Sequence, residues 1–395
     1  MKKVCIFLLL LACFLSGSAQ TNGTYYRVQN KDQKRYISVM DNRGQVYLNQ
    51  TDADMGALRT VLGFDLVVSD PSTIIYFKKI SSGWALQSQG TSTTDIIGTQ
   101  YALKIDGSDS KGYRCYATYS GVTKYLSDDP YDEWDVLLNG YDPTYGKIVT
   151  NTEKNRLWNL LPLTATGSSY FGLKPDVALK GNYYQTFYAS FPFTCYDADM
   201  SIFYVKKVDV EKAAIVIEEL TGGVPAATPV IVKCSANVPS QNRLNVGAKV
   251  TGSASGNLLN GVYFCNDVES KDHRNVVDYD AKTMRVLGTA ADGSLAFVTS
   301  STLKYIPANT AYIKVSADAP AELKVYTQAE YDQLTPAVVG DLNGDGAVTV
   351  ADQVIMGNII LNLRPYSDAA DLNNDGIVNV TDYVALGNIV LGKKN

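Results

Sequence analysis

One acidic, glycine-containing phrase occurs twice near the end of this 395-residue chain. It is written GDLNGDGAVTVAD at residues 340–352 and ADLNNDGIVNVTD at residues 370–382. Over residues 341–361 and 371–391, the two copies are identical at 13 of 21 positions. A repeat of this length and identity is not an accident of composition, so the two phrases are expected to form paired loops with one shared chemistry.

The spacing of oxygen-bearing residues in each phrase predicts calcium binding. Ca²⁺ takes six to eight oxygen ligands at about 2.3–2.6 Å, and a twelve-residue loop supplies them from positions 1, 3, 5, 7, 9 and 12. The predicted ligands are Asp341, Asn343, Asp345, the carbonyl of Ala347, Thr349 and Asp352 in the first loop, and Asp371, Asn373, Asp375, the carbonyl of Ile377, Asn379 and Asp382 in the second. We therefore expect two ions. The alternative is a pair of Asx-rich turns without metal.

Each loop is followed by a predicted apolar helix. Gly346 and Gly376 stand at the sixth position, where we expect a sharp turn at which a Cβ would clash. Val348 and Val378 are expected to point inward. The predicted packing face of the two helices consists of Val354, Ile355, Ile359, Ile360, Val384, Leu386, Ile389 and Val390. A unit this small buries little apolar surface, so we expect it to fold only when calcium is bound.

The duplicated loop–helix unit, residues 340–395, resembles the type I dockerin. The resemblance implies attachment to cohesin domains on scaffold proteins and a link to polysaccharide degradation. The docking positions that it implies are Val350, Ala351, Gly357 and Asn358 in the first copy, and Val380, Thr381, Gly387 and Asn388 in the second. The family often has Ser or Thr at the first pair, and only Thr381 keeps that, so another surface protein remains an alternative partner. Two nearly identical surfaces would allow two docking orientations related by a half-turn.

The rest of the chain is predicted to be mainly β. Residues 22–163 contain many short strands, and YYRVQNKDQKRYISV, YFKKISSGWALQS and YRCYATYSGVTKYLS look like three copies of one hairpin. This region resembles the β-trefoil of ricin-type lectins, although the closing Q-x-W motif of that family is absent. Residues 170–327 predict an antiparallel β-sandwich or barrel, an accessory domain, and residues 328–339 a linker with a helical start.

Aromatic and acidic side chains are densest in residues 119–146. This mixture suits sugar binding, because the C–H face of a sugar stacks on an aromatic ring and its hydroxyl groups form hydrogen bonds with Asp and Asn side chains. The candidate glycan residues are Tyr125, Tyr131, Trp134, Tyr141, Tyr145, Asp132, Asp135 and Asn139. Asp128 and Asp129 lie in the same segment. The alternative is that its aromatic side chains fill the barrel while its acidic ones face water.

The N-terminus predicts export. Lys2 and Lys3 precede the short apolar run VCIFLLLLACFL, and small residues ending at Ala19 predict cleavage of a signal peptide, residues 1–19. Lipidation of Cys13 is the alternative. No later segment is apolar enough to predict a transmembrane span. Cys115, Cys195, Cys234 and Cys265 then remain, and their pairing is left open.

The sequence favours binding over catalysis. The net charge of −5 gives no support for nucleic-acid binding. The single histidine, His273, lies in a polar stretch, SKDHRN, that is typical of a solvated loop. We therefore expect a secreted or surface-associated protein that binds glycans and docks through its C-terminal domain. One alternative is a hydrolase of O-glycosyl bonds with unrecognised catalytic carboxylates. Another is a structural surface protein with a calcium-stabilised tail.

Overall fold

A computed structural model describes residues 23–39, 58–88, 95–97, 102–130, 145–151, 155–262, 277–334 and 339–393. The predicted fold class is confirmed: the chain is mainly β-strand with a small helical unit at the C-terminus. The predicted signal peptide with Cys13, and also Cys265 and His273, lie outside the described residues. Within the described part of the chain, no helix has the length and apolar character needed to cross a bilayer.

The described residues of the first β region form one antiparallel sheet of eleven strands. Its strands are β1 (Tyr25–Asn30), β2 (Arg35–Val39), β3 (Leu58–Leu62), β4 (Ile75–Ile80), β5 (Gly83–Ser88), β6 (Asp95–Ile97), β7 (Lys104–Ser108), β8 (Gly112–Tyr119), β9 (Val122–Pro130), β10 (Tyr145–Asn151) and β11 (Leu157–Pro162). A short helix, α1 (Phe64–Val67), follows β3. The sheet closes because β1 pairs with β2, β4 and β11 at once.

Side chains along each strand of the first region point alternately to a buried interior and to an outer face. On β8, Tyr113, Cys115 and Ala117 are buried in a core around the fully buried Trp158, whereas Arg114 and Tyr116 are half-buried on the opposite face. Hydrophobic residues of the hairpins therefore fill a closed interior, as the repeated hairpins predict. The threefold arrangement of a β-trefoil stays a prediction.

The described residues of the second β region form thirteen strands. They are β12 (Phe171–Gly172), β13 (Val177–Leu179), β14 (Asn182–Phe187), β15 (Phe193–Cys195), β16 (Ser201–Asp209), β17 (Ala214–Glu219), β18 (Val230–Cys234), β19 (Arg243–Val246), β20 (Leu259–Gly261), β21 (Met284–Thr289), β22 (Leu295–Val298), β23 (Ala311–Lys314) and β24 (Glu322–Thr327). Ten of them form one sheet, and β12, β19 and β15 form a small second sheet. The pairing of β17 with β24 is parallel, whereas the sequence predicted only antiparallel strands.

Alternate residues of β18 face two different cores. Val230 and Val232 pack with the small sheet and a cluster of phenylalanines, whereas Ile231 packs with Phe297 of β22 and Leu323 of β24, two strands of the same curled ten-stranded sheet. A strand that is buried on both faces loses the polar–apolar alternation of an exposed sheet. The continuous apolar run of TPVIVKC is explained by this double burial.

The two β regions meet through buried residues. Tyr25 of β1 packs in the phenylalanine cluster of the second region, with its ring centroid 6.0 Å from that of Phe191. Arg27 is fully buried and donates hydrogen bonds to the carbonyls of Val67, Val68 and Tyr170. Burial lowers the pKa of Arg27 to about 10. The segment between the predicted domains is thus tied to the first sheet by a buried cation.

The predicted linker begins with a helix, α2 (Gln328–Asp332), that packs on the second β region. Its Tyr331 is buried, and the hydroxyl donates a hydrogen bond to Asp209 and accepts one from Lys207. The ammonium groups of Lys207 and Lys212 lie 4.4 and 4.8 Å from the centroid of the Tyr331 ring. Residues 328–334 are therefore part of the folded domain.

The three described cysteines, Cys115, Cys195 and Cys234, are free thiols. Burial raises the pKa of each to about 12, so none of them is a reactive thiolate at neutral pH.

The C-terminal unit contains two helices of equal length, α3 (Val350–Ile360) and α4 (Val380–Val390). Each begins inside the predicted calcium loop, at its tenth residue. Each ends shortly before a residue with backbone φ above +50°, Asn362 after α3 and Gly392 after α4.

Candidate metal centre and docking surface

The first aspartate of each loop holds the backbone of that loop in a tight curve. The Asp341 carboxylate accepts hydrogen bonds from the amides of Gly344, Asp345 and Gly346 at 2.8, 3.3 and 2.7 Å. In the second loop, Asp371 accepts from the amides of Asp375 and Gly376 at 3.1 and 2.7 Å. The residues at positions 4 to 6 therefore wrap around the carboxylate at position 1.

The third and fifth residues of each loop are also joined. Asn343 donates its side-chain amide to Asp345 at 2.8 Å, and Asn373 donates to Asp375 at 2.9 Å. These four side chains are exposed, so their remaining lone pairs face solvent. Carboxylate, amide and carbonyl oxygens are the ligands that calcium prefers in proteins, so the donor chemistry of both loops fits this ion.

The sixth-position glycines are required by backbone conformation. Gly346 has a φ of +87° and Gly376 a φ of +82°, values that residues with a Cβ rarely adopt. The predicted steric clash is wrong for Gly376, since a Cβ built there would meet no atom within 4 Å. The sharp turn itself is confirmed.

The twelfth residue of each loop has a role that the ligand prediction did not include. Asp352 is fully buried, and its carboxylate accepts hydrogen bonds from the amides of Leu342, Asn343 and Thr349 at 2.7, 3.0 and 2.8 Å. Burial by itself would raise the pKa of Asp352, but these hydrogen bonds outweigh it and hold the pKa below its ordinary value. Asp352 thus joins the start of the loop to the first turn of α3 as a charged carboxylate.

The same arrangement recurs in the second loop. Asp382 is fully buried and accepts from the amides of Leu372, Asn373 and Asn379. Both aspartates complete a capping box with the residue three positions before them. The spacings T-x-x-D and N-x-x-D were the sequence signal for this role.

The acidic side chains of each loop do not converge on one point. Within the described ranges, no three histidine, cysteine, aspartate or glutamate side chains form a group that could hold a metal ion. The physical reason is that Asp352 and Asp382 are turned toward backbone amides. Positions 3 and 5 of each loop are exposed, position 1 is half-buried in the first loop and buried in the second, and position 12 is fully buried in both.

The core of the C-terminal unit differs in part from the predicted packing face. Met356, Ile359, Ala370 and Leu386 are buried together, and Val348 and Val378 pack against them as predicted. Ile355 and Ile360 are half-buried there. Val354 and Val384 were predicted to pack inward, but they are 60% and 56% exposed, and Ile389 is 39% exposed. That prediction is wrong because Met356 and Leu386 occupy the buried side of their helices, and a valine two positions earlier lies about 200° away, on the opposite side.

The two helices expose matching apolar stripes. On α3 and just beyond it, Val350, Val354 and Leu361 are 62%, 60% and 67% exposed. Their counterparts in the second copy are 66%, 56% and 68% exposed: Val380, Val384 and Leu391. The spacing of four and then seven residues places each set along one side of its helix. Large exposed apolar patches on soluble proteins mark interaction sites.

The predicted docking residues fall into two groups around these stripes. Val350, Ala351, Val380 and Thr381 are exposed at the first turns of α3 and α4. Gly357, Asn358, Gly387 and Asn388 are half-buried. A Cβ on Gly387 would stand 2.6 Å from Nε2 of Gln353, and one on Gly357 would stand 3.6 Å from the Tyr383 ring. These glycines therefore also let the two helices approach each other. Val350 and Val380 of the stripes were among the predicted docking residues, whereas Val354, Leu361, Val384 and Leu391 were not.

Of the candidate glycan residues, Tyr125 is described with its side chain, and only the backbone of Tyr145 is described, in β10. The other six, Tyr131, Trp134, Tyr141, Asp132, Asp135 and Asn139, lie outside the described residues. Asp128, from the same segment, is buried and pairs with Arg35 at 2.9 Å. Asp128 is therefore part of the fold and does not face a ligand.

Residues 339–391 match the family model of the dockerin type I domain. The matched range spans both loops and both helices, and it agrees with the resemblance seen in the sequence. Type I dockerin domains bind calcium with paired loops of this kind and dock to cohesins. No curated protein matches the chain.

Proposed function

We propose that this chain, whose residues 339–391 form a type I dockerin domain, is an exported, non-catalytic glycan-binding protein that docks to a partner through that domain. The observation that carries the docking part is the pair of matching exposed stripes on α3 and α4. The N-terminal segment supports export, and the β regions supply the glycan-binding part.

The proposed calcium ligands are those at positions 1, 3, 5, 7, 9 and 12 of each loop, Asp341 to Asp352 and Asp371 to Asp382. The wrapped backbone around Asp341 and Asp371 supports this assignment, because it gathers the oxygens of positions 1, 3 and 5 on one side. Asp352 and Asp382 contribute by fixing the loop ends, and they reach the ion only if an amide hydrogen bond is exchanged for it. Calcium offsets the repulsion between the loop carboxylates, and its binding free energy adds to folding.

Calorimetric titration of calcium into the metal-free full chain tests the metal part. We expect two ions per chain, and one ion per chain for Asp341→Ala or for Asp371→Ala. Asp332→Ala is a matched control, since this aspartate lies in α2 outside both loops. Two ions retained in the double variant of Asp341 and Asp371 would contradict the ligand assignment.

The proposed partner is a cohesin-type domain that covers an apolar stripe. Each stripe places two valines and a leucine in solvent, and burying them stabilises a complex by about 25 cal/mol per Å² of apolar surface. Binding of the calcium-loaded full chain to a panel of cohesins, measured by biolayer interferometry, is the test. Loss of binding on adding a chelator is expected.

The proposed glycan-binding part lies in the first β region, where Tyr125 and the half-buried Tyr116 lie with ring centroids 5.4 Å apart. Exposed ring surface next to charged side chains is what a sugar requires, because its C–H face is apolar and its hydroxyls are polar. A glycan array probed with the full chain tests this part. A protein that binds no glycan but retains cohesin binding would leave only the docking function.

A further inference from the structure

A cationic groove lies at one end of the first sheet. It has a volume of about 420 Å³, and its lining includes Asp32, Lys111, Arg114, Asn155 and Arg156. Asp32 lies in the turn between β1 and β2, Lys111 and Arg114 lie just before and in β8, and Asn155 and Arg156 precede β11. Three distant parts of the sequence are thus brought together by the closure of the sheet.

Two of the three cations are held in place. Arg114 donates from Nε and Nη2 to the two carboxylate oxygens of Asp106, at 2.7 and 2.8 Å. The guanidinium of Arg156 lies 4.7 Å from the centroid of the Tyr125 ring. A guanidinium that is already fixed loses less conformational freedom when it binds an anion.

The third cation, Lys111, is exposed at the edge of the groove. Within the residues that the structure describes, Lys111 forms no ion pair with a carboxylate. Asp106 offsets the charge of Arg114. Among the described lining residues and Asp106, three cations accompany two carboxylates, so this part of the surface has a positive formal charge on a chain whose net charge is −5.

An aromatic surface adjoins the cations. Tyr116 and Tyr125 are cross-strand neighbours on β8 and β9. Tyr116 lies two residues after Arg114 on the same strand, so both side chains are on the outer face of the sheet. Arg156 connects the two parts, since it lines the groove and also stacks on Tyr125.

We propose that this groove binds an anionic saccharide with carboxylate groups, such as a uronate-containing oligosaccharide. The carboxylate would accept hydrogen bonds from Arg114, Arg156 and Lys111, and a neighbouring sugar ring would lie along Tyr116 and Tyr125. The inference rests on the proposed glycan-binding function and specifies its ligand class. A neutral sugar would offer no counter-charge to the ammonium group of Lys111.

The test is calorimetric titration of the full chain with a trigalacturonate, a neutral galactotriose and a sulfated galactotriose, each at low and high salt. We expect the trigalacturonate to bind most tightly. Arg156→Gln should weaken its binding about tenfold and Lys111→Gln several-fold, because each substitution removes a hydrogen bond to a charged group. High salt should weaken binding by the wild type more than by either variant.

Lys249→Gln is the matched control, because it removes the same charge from an exposed position in the second β region. Thermal unfolding of each variant reports on the fold, and Lys111→Gln changes only an exposed side chain. Equal affinity for the neutral and acidic sugars, or equal losses in Lys111→Gln and Lys249→Gln, would overturn the inference while leaving glycan binding in place. Tighter binding of the sulfated sugar would overturn the assignment to carboxylates. Absence of binding to every saccharide, here and on the array, would overturn both proposals.

Discussion

Leu386, in the middle of the last helix, lies against Gly340, the residue that precedes the first loop. A Cβ built on Gly340 would stand 2.6 Å from Cδ1 of Leu386, which is fully buried. The helix of the second copy thus packs on the entrance of the first loop. The two copies therefore share one core, and neither has a complete core of its own.

Replacing Gly340 by alanine is expected to destabilise both loops. Gly340 has a φ of +91°, which costs an alanine about 1–2 kcal/mol, and the added Cβ would also displace Leu386. Gly344→Ala is the control, since its φ is +74° but no atom lies within 4 Å of the added Cβ. Hydrogen exchange of residues 341–393 in increasing urea measures both variants. Equal losses in the two would show that the contact with Leu386 contributes nothing.

Removing calcium from the full chain is expected to unfold the C-terminal unit and leave the β regions folded. The buried apolar cluster around Met356 and Leu386 is small, so the unit depends on the binding free energy of calcium for its stability. Hydrogen-exchange mass spectrometry should show loss of protection in α3 and α4 on chelation, with β16 and β18 unchanged. Protection of α3 that survives chelation would contradict calcium-dependent folding.

A charged residue in one stripe is expected to leave most cohesin binding intact, whereas charged residues in both stripes are expected to abolish it. Val354→Asp and Val384→Asp occupy equivalent positions on the two helices, so a partner that can use either stripe retains one intact surface. We expect each single variant to weaken cohesin binding about twofold and the double variant to abolish it. Val238→Asp, at a 43% exposed position in the second β region, is the control. If one single variant abolishes binding, docking uses one orientation.

Acid is expected to release α2 from the second β region before that region unfolds. The hydrogen bond from Tyr331 lowers the pKa of Asp209 to about 2, with further contributions from the Lys212 amide and Lys207. Because the pKa of Asp209 is lower in the folded chain than in the unfolded chain, where it is about 4, the ionised carboxylate stabilises the folded state above that pH. This contribution is lost as the pH falls from about 4 to 2. Hydrogen exchange at residues 328–334 across this pH range is the measurement. In the variant Asp209→Asn, the amides of residues 328–334 should already exchange fast at neutral pH. Their protection factors, which are exchange rates corrected for the intrinsic rate, should not change between pH 4 and pH 2.

Removing the carboxylate of Asp128 is expected to destabilise the first β region severely. Arg35 and Asp128 are both buried, and Thr60 donates a further hydrogen bond to Asp128 at 2.8 Å. Asp128→Ala leaves the Arg35 charge buried without its partner, which costs about 3–5 kcal/mol. Asp129→Ala, one residue further on, lies at a half-buried position and should cost far less. Urea denaturation followed by tryptophan fluorescence distinguishes the two, because all three tryptophans of the chain lie in the first β region.

The sequence by itself determined the calcium loops, their glycines and the two helices, because these depend on residues within a dozen positions of each other. Three local requirements apply here: oxygen ligands at fixed spacing, a glycine with positive φ and an N-terminal cap. Each depends on neighbouring residues, so each can be recognised from the sequence. The mainly β character of residues 22–327 could be predicted for the same reason, because short apolar runs between turn residues are a local signal for strands.

Only the tertiary structure decided which apolar residues are buried. Val354 and Val384 follow the helical period of a packing face, yet α3 and α4 bury the side that carries Met356 and Leu386 and leave both valines in solvent. The burial of Asp128 and the gathering of Lys111, Arg114 and Arg156 likewise depend on pairings between strands far apart in the chain. Local pattern fixes the type of element, but burial and charge clustering are set by which elements meet, and that is a property of the whole packed chain.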